Sequence, residues 1–167
     1  MIRILLCLIA LFTICVGCDK KDEINQDFIE EVASLRSDNE RRVFLEEIRI
    51  SNQKSRNNII HIESVYGYNS KERSKALEEK IMVDKIHLQK IELYLEKYGH
   101  PSAEIHGELA AKTPYIILYH CSNLESKQKN FEYLYRAYKK GDLMPNSFAM
   151  FLSSYYNDQF DEKYYLP

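Results

Sequence analysis

Hydrophobic residues along most of the chain recur three and four positions apart, the spacing that places side chains on one face of an α-helix. The first two segments with this spacing contain Phe28, Ile29, Val32, Leu35, Val43, Phe44, Ile48, Ile59 and Ile60. No segment shows the sustained alternation of apolar and polar residues that predicts a half-buried β-strand. The pattern therefore predicts an all-α fold.

Capping residues and glycines divide this pattern into about six helices. Ser37 and Glu40 form a capping box, in which each side chain accepts a hydrogen bond from the other's backbone N–H. A second helix is therefore predicted to start there and to end near Gly67. Asn69-Ser70 is predicted to cap a long third helix, and Gly99 ends it because glycine readily adopts the left-handed conformation that follows helices.

The second half of the chain continues the helical pattern. A fourth helix is predicted over residues 107–121, and Pro114 is expected to bend or split it. Ser122 and Glu125 match a second capping box, which opens a fifth helix that ends at Gly141. A sixth helix is expected to carry an apolar side made of Phe148, Phe151, Leu152 and Tyr155.

The N-terminal segment differs from the helical domain. Arg3 precedes an unbroken apolar run from Ile4 to Val16, and Gly17 and Cys18 follow it. A secretory signal peptide needs a positive start, an apolar core of about 7–15 residues and a small residue at the cleavage point. A membrane-spanning helix needs about 20 apolar residues. The segment therefore predicts a signal peptide, with a short uncleaved anchor as the alternative.

The end of this run, Cys15-Val16-Gly17-Cys18, resembles the lipobox of bacterial lipoproteins, although the lipobox prefers leucine where Cys15 stands. The resemblance implies that Cys18 is lipidated and becomes the first residue of the mature protein, so that the membrane is a partner through the lipid. It divides the chain into a signal peptide at 1–17, a lipidated cysteine with a tether at 18–26, and one helical domain at 27–167.

The residues after Cys18 carry two conflicting sorting patterns. Lys21-Asp22-Glu23 resembles the export signal of surface lipoproteins in the Bacteroidota, whereas Asp19 resembles the inner-membrane retention signal of enterobacteria. A composition rich in lysine, asparagine, isoleucine and tyrosine favours the first pattern. The expected location is therefore the cell envelope, at the outer membrane or the cell surface.

Composition narrows the classes of function. A length of 167 residues and a hydrophobic content of 45% fit one globular domain. The net charge of −2 comes without a basic stripe, so no nucleic acid is expected as a partner. Cys7 and Cys15 leave with the signal peptide and Cys18 takes the lipid, so Cys121 is the only free thiol and no internal disulfide is predicted.

One carboxylate interrupts the apolar face of the third helix. That face consists of Leu77, Ile81, Leu88, Ile91, Leu95 and Tyr98. Asp84 occupies the position between Ile81 and Leu88, and a buried carboxylate is costly unless it is paired or hydrogen-bonded. We therefore expect a buried or half-buried polar partner, with Arg56 or His120 as the leading candidates. Asp84 then either fixes how the helices pack or orients a base in a pocket.

Five short motifs follow one another in a fixed order: Asn52-Gln53-x-x-Arg56, Asp84-x-x-His87, Tyr98-Gly99-His100-Pro101, Gly107 through His120, and Ala137 through Gly141. From roughly Phe44 to Tyr155, this set resembles an uncharacterised bacterial family catalogued as domain of unknown function 6624. The matching residues are Gln53, Arg56, Asp84, Gly99, Pro101, Gly107 and His120. The resemblance implies a helical fold and a polar cluster that binds through Gln53, Arg56, Asp84 and His120, without an established activity. Ser153-Ser154 departs from the family's Asp-Arg pair.

Two other kinds of site receive little support. His100, Glu104, His106 and Glu108 lie close in sequence, but no helical His-Glu-x-x-His accompanies them, so neither a metal nor a cofactor is predicted. The nucleophile motif Gly-x-Ser-x-Gly is absent. Cys121 adjoins His120, but neighbouring helical residues point about 100° apart and do not face each other.

Two functions remain in competition. The first is a lipid-anchored, non-enzymatic module that binds a protein or a glycan at the cell envelope. The second is an envelope hydrolase in which Asp84 and His120 act together and Arg56 stabilises charge. The missing nucleophile favours the first. A third class, an immunity or exclusion lipoprotein, fits the size but has no motif.

Overall fold

A computed structural model of the protein describes residues 25–160, and this part of the chain contains six α-helices and no β-strand. The helices are α1 (Gln26–Ser34), α2 (Asp38–Tyr66), α3 (Lys71–Tyr98), α4 (Ala103–His120), α5 (Leu124–Lys140) and α6 (Pro145–Phe160). The all-α prediction is confirmed. The predicted signal peptide, Cys18 and most of the tether lie outside the described residues. None of the described helices is both long enough and apolar enough to cross a membrane.

The two longest helices, α2 and α3, form an antiparallel hairpin. Ser37 and Glu40 make both bonds of the predicted capping box at the start of α2. Gly67 ends α2 with a positive φ of 87°, a backbone conformation that side chains with a Cβ rarely adopt. Beyond the turn, the Arg73 guanidinium pairs with Glu63 at 3.0 Å and lies 3.8 Å from the centre of the Tyr68 ring. These contacts fix which residues of the two helices lie opposite each other.

Helix α1 packs against the C-terminal half of α3. The Tyr98 hydroxyl shares its one hydrogen between the carbonyl oxygens of Val32, at 2.9 Å, and Leu35, at 2.6 Å. Lys90 pairs with Glu31 at 2.6 Å. The chain therefore enters the described domain at the end of the hairpin that is opposite to the Gly67 turn.

Helix α4 lies in the groove between α2 and α3, over the half of the hairpin that is remote from the Gly67 turn. The Thr113 hydroxyl is fully buried and lies 3.2 Å from the Leu45 carbonyl of α2. The helix starts at Ala103 and not at about Gly107, where its start was predicted. Its non-helical backbone angles occur at Gly107, with φ 81° and ψ 159°, and not at Pro114, where the bend or split was predicted.

Helices α5 and α6 complete the bundle through aromatic contacts. The rings of Phe148 and Tyr138 stack with their centres 4.8 Å apart, and the ring centres of Phe131 and Phe151 are 6.4 Å apart. Gly141 ends α5 in the left-handed conformation, as predicted. The predicted capping box that begins at Ser122 is wrong by one residue, because the Asn123 side chain accepts the hydrogen bond from the Ser126 N–H. Asparagine is as strong an N-cap as serine.

The predicted apolar face of α3 is buried only in its C-terminal part. Ile91 and Leu95 are fully buried, whereas Leu77 is 37% exposed and Ile81 is 56% exposed. Helix α4 ends at His120, beside Asp84, so it cannot cover the earlier turns of α3. The prediction that the whole stripe faces the core is therefore wrong for Leu77 and Ile81.

Candidate functional site

Asp84 lies at the centre of a polar group that joins α2 to α3. The Asn52 Nδ2 donates to Asp84 Oδ1 at 3.0 Å, and the Arg56 Nε donates to Asn52 Oδ1 at 3.2 Å. Arg56 Nη2 is 3.8 Å from Asp84 Oδ2, and the Lys80 ammonium pairs with the same oxygen. We call Asn52, Arg56, Lys80 and Asp84 the Asp84 cluster. Arg56 is thus a half-buried partner of Asp84, and Asn52 and Lys80 are further partners.

The helical hairpin explains why these residues meet. Asn52 and Arg56 are four residues apart on α2, and Lys80 and Asp84 are four apart on α3, so each pair shares a helix face. Asn52 is almost completely buried at the contact between the helices. Its amide accepts from Arg56 and donates to Asp84, which fixes the orientation of both charged side chains.

A cavity of about 320 Å³, which we call the Asp84 cavity, opens above this cluster. Asp84, Lys80 and Asn52 lie on one side, and His120 lies on the other, at the end of α4. The side chain of Asp84 retains 27% of its exposure. The cluster is therefore neither sealed in the core nor fully hydrated.

His120 shares the cavity with Asp84, although the part of the chain that the structure describes contains no hydrogen bond between them. Partial burial and the nearby cations lower the pKa of His120 to about 4, with Arg56 the largest charge contribution. The carboxylate of Asp84 acts in the opposite direction but is outweighed. His120 is consequently neutral at neutral pH.

Cys121 follows His120 and lines the same cavity. Its sulfur accepts a hydrogen bond from the Asn123 N–H at 3.2 Å. Burial raises the pKa of the Cys121 thiol, and this outweighs the effect of the hydrogen bond. Since the thiolate is the nucleophilic form, this environment does not activate the sulfur.

A second cavity of about 490 Å³ lies on the other side of the segment His120 to Ser122. One of its lining residues is a lysine that the sequence pattern did not single out, Lys127. Lys127 is 1% exposed, and its Nζ donates to Ser154 Oγ at 2.6 Å and to Asp158 Oδ2 at 2.5 Å. Its spacing from Asn130, Leu134 and Ala137 places it on the buried face of α5, and that spacing was the available signal.

The remaining predicted site residues lie elsewhere. Gln53 is exposed, donates to Asn57 Oδ1 at 2.9 Å along its own helix, and does not line either cavity. His100 and His106 are held by backbone carbonyls, through Nδ1 on Pro101 at 2.9 Å and on Ser102 at 3.2 Å respectively. Within residues 25–160, no group of three His, Cys, Asp or Glu side chains is arranged to hold a metal ion.

Comparison with family models, curated proteins and solved structures finds no match for this chain. The resemblance to the family of unknown function therefore stays a hypothesis based on the motifs alone. A function has to be inferred from the charges, burial and hydrogen bonds of the site itself.

Proposed function

We propose that the protein is a lipid-anchored, non-enzymatic binding module of the cell envelope that holds a protein or a glycan at the Asp84 cavity. The observation that carries this proposal is the charge of the cavity. Two cations, Arg56 and Lys80, pair with the single carboxylate of Asp84, and Lys80 and Asp84 line the cavity. An acidic group on a partner finds a favourable potential there.

The electrostatics of His120 support the same conclusion. Its pKa of about 4 reflects cations that outweigh Asp84, after the effect of burial. In addition, Arg56 Nη2 is buried and has no hydrogen-bond partner among the described residues. An unsatisfied buried donor costs roughly 1–3 kcal/mol, and because Arg56 does not line the cavity it would act on a partner through its charge.

The alternative, an envelope hydrolase using Asp84, His120 and Arg56, is less well supported. A general base works best when its pKa lies near the working pH, and that of His120 is about 4. Asp84 is hydrogen-bonded to Asn52 and paired with Lys80, so it does not orient the imidazole. The neighbouring thiol of Cys121 has a raised pKa.

Lipidation gives the first prediction. Cells grown with radiolabelled palmitate should label the wild-type protein and give no label on Cys18→Ser, because the serine hydroxyl does not replace the thiol in the lipid attachment. The label should fractionate with the outer membrane. A wild-type protein without label, recovered as soluble protein from the cell interior, would rule out the anchor.

Binding gives the second prediction. Full-length protein should capture a consistent partner from envelope extract, and Arg56→Gln should lose most of it because the site loses a cation. Arg136→Gln is the matched control, since Arg136 pairs with Glu132 on the exposed surface of α5. Asp84→Asn should retain the partner. Equal recovery with both arginine variants would contradict the assignment of the site.

Turnover separates the two functions. If a small molecule extracted with the wild-type protein were hydrolysed by it, and if Asp84→Asn abolished that hydrolysis, the enzyme would replace the binding module. We expect no such hydrolysis, because His120 is too weak a base at neutral pH and Cys121 is not activated.

A further inference from the structure

Within residues 25–160, only half of the groove between α2 and α3 is filled. Helix α4 occupies it as far as His120, where Ile117 and His120 face Asn52 and Asp84 across the Asp84 cavity. The hairpin continues beyond this point for several turns to Gly67. In the described part of the chain, α4 thus ends while the groove that it occupies continues towards Gly67.

The continuation of the groove is apolar and exposed. On α3, Leu77 and Ile81 share the face of Asp84 and Leu88, because these residues are separated by three, four and seven positions. On α2, Ile60 lies one turn beyond Arg56 on the same face. Ile60 is 67% exposed, and Ile81 is 56% exposed. We call Ile60, Leu77 and Ile81, with Arg56 and Lys80 at the inner end, the open groove.

We propose that the open groove binds an acidic amphipathic helix of a partner protein, placed end to end with α4. This inference rests on the proposed function and deepens it by naming the class of partner. A helix fits because α4 already fills the part of the same groove that lies farther from Gly67. Helix-in-groove recognition uses apolar residues at this spacing on the bound helix.

The cations at the inner end of the open groove indicate that the bound helix is acidic. Arg56 and Lys80 lie where α4 ends, and Asp84 is the one carboxylate with which the described residues pair them there. Acidic side chains on the bound helix would face these cations while its apolar residues cover Leu77 and Ile81. Burial of the apolar residues of the open groove supplies affinity, and the cations select the acidic helix and fix its register.

A synthetic peptide tests the proposal directly. The probe is an amphipathic helix with leucine on one face and glutamate on both flanks, and a matched peptide carries lysine in place of glutamate. Full-length protein in lipid nanodiscs is titrated with each labelled peptide by fluorescence anisotropy, with empty nanodiscs as the lipid control. The glutamate peptide should bind the protein at least about tenfold more tightly than the lysine peptide.

Adjacent variants supply the control. Ile81→Gln and Leu77→Gln should each weaken binding of the glutamate peptide by about tenfold. Met82→Gln should leave it unchanged, because Met82 is 59% exposed but points about 100° away from Ile81 around the helix. Circular dichroism should show the same melting for Ile81→Gln and Met82→Gln, since both side chains are more than half exposed.

Each other outcome overturns the proposal. Equal weakening by Ile81→Gln and Met82→Gln would remove the groove as the site, and so would an absence of peptide binding. If the protein sedimented as a dimer that Ile81→Gln dissociates, the open groove would bind a second copy of the chain. If the glutamate peptide bound equally to empty nanodiscs, it would be binding the lipid. If Arg56→Gln lost the captured envelope partner while Ile81→Gln kept it, the proposed function would stand without the helix.

Discussion

Asp158→Ala is expected to lower the free energy of unfolding by about 3 kcal/mol. Lys127 is 1% exposed and its ammonium lies 2.5 Å from Asp158. Without that carboxylate, a buried positive charge keeps only the Ser154 hydroxyl at 2.6 Å as a described acceptor. Removing one partner of a buried pair is strongly destabilising because the other charge stays out of water.

The reverse change should cost less. In Lys127→Met the remaining charge is Asp158, which is 28% exposed and can recover hydration. The double variant Lys127→Met/Asp158→Ala should therefore be more stable than Asp158→Ala alone, by about 1–2 kcal/mol, because no buried charge remains. Urea unfolding followed by circular dichroism measures all three.

An exposed ion pair supplies the control for this comparison. Glu132 pairs with Arg136 at 2.7 Å on the surface of α5, and both side chains are more than half exposed. Glu132→Ala should change the stability by less than about 1 kcal/mol, since exposed pairs contribute little. If Asp158→Ala behaved like Glu132→Ala, the Lys127 pair would not be the buried contact that joins α5 to α6.

Most helix boundaries were predictable because they depend on interactions within a few residues. The capping box of Ser37 and Glu40 and the terminating Gly141 are read from neighbouring positions alone. The error at Ser122 has the same origin, since two adjacent residues can each cap and only the backbone conformation selects Asn123.

Burial along α3 could not be predicted from α3 itself. Leu77 and Ile81 have the same spacing as Ile91 and Leu95, and only the end of α4 at His120 makes the first pair exposed. The extent of coverage by another helix depends on the length and direction of that helix. A stripe of apolar residues does not contain that information.

The Asp84 cluster was predictable in part. The position of Asp84 in an apolar stripe indicated a polar partner, and Arg56 is one. Lys80 could have been added from its i, i+4 spacing to Asp84. Gln53 shows the limit of motif-based assignment, because it is the neighbour of Asn52 and points about 100° away around the helix.

Acidification should destabilise the protein through His100, which is the second large effect that we expect. Burial lowers the pKa of His100 to about 4 from an ordinary 6.5. Its Nδ1–H donates to the Pro101 carbonyl at 2.9 Å, and its Nε2 is buried and has no partner among the described residues. A proton on Nε2 would create a buried donor without an acceptor, so the folded protein holds His100 neutral.

The direction of the change in stability with pH follows from the difference in proton uptake between the folded and the unfolded chain. The unfolded chain takes up a proton on His100 as the pH falls through about 6.5, whereas the folded protein takes it up only near pH 4. Stability from this group is therefore complete above pH 6.5 and is lost as the pH falls from 6.5 to 4. At 1.36 kcal/mol for each pH unit, the loss over this window is about 3 kcal/mol.

The contribution of His100 can be separated from the other groups that titrate in acid. Urea unfolding at several pH values between 7.5 and 4 is compared for wild type and His100→Gln, in which the side chain does not titrate. The pH-dependent loss should be about 3 kcal/mol smaller in the variant, even if the variant is less stable at pH 7.5. His61→Gln, at an exposed position of α2, should keep the wild-type dependence. Parallel curves for wild type and His100→Gln would show that His100 takes up its proton at the same pH in the folded and unfolded chain.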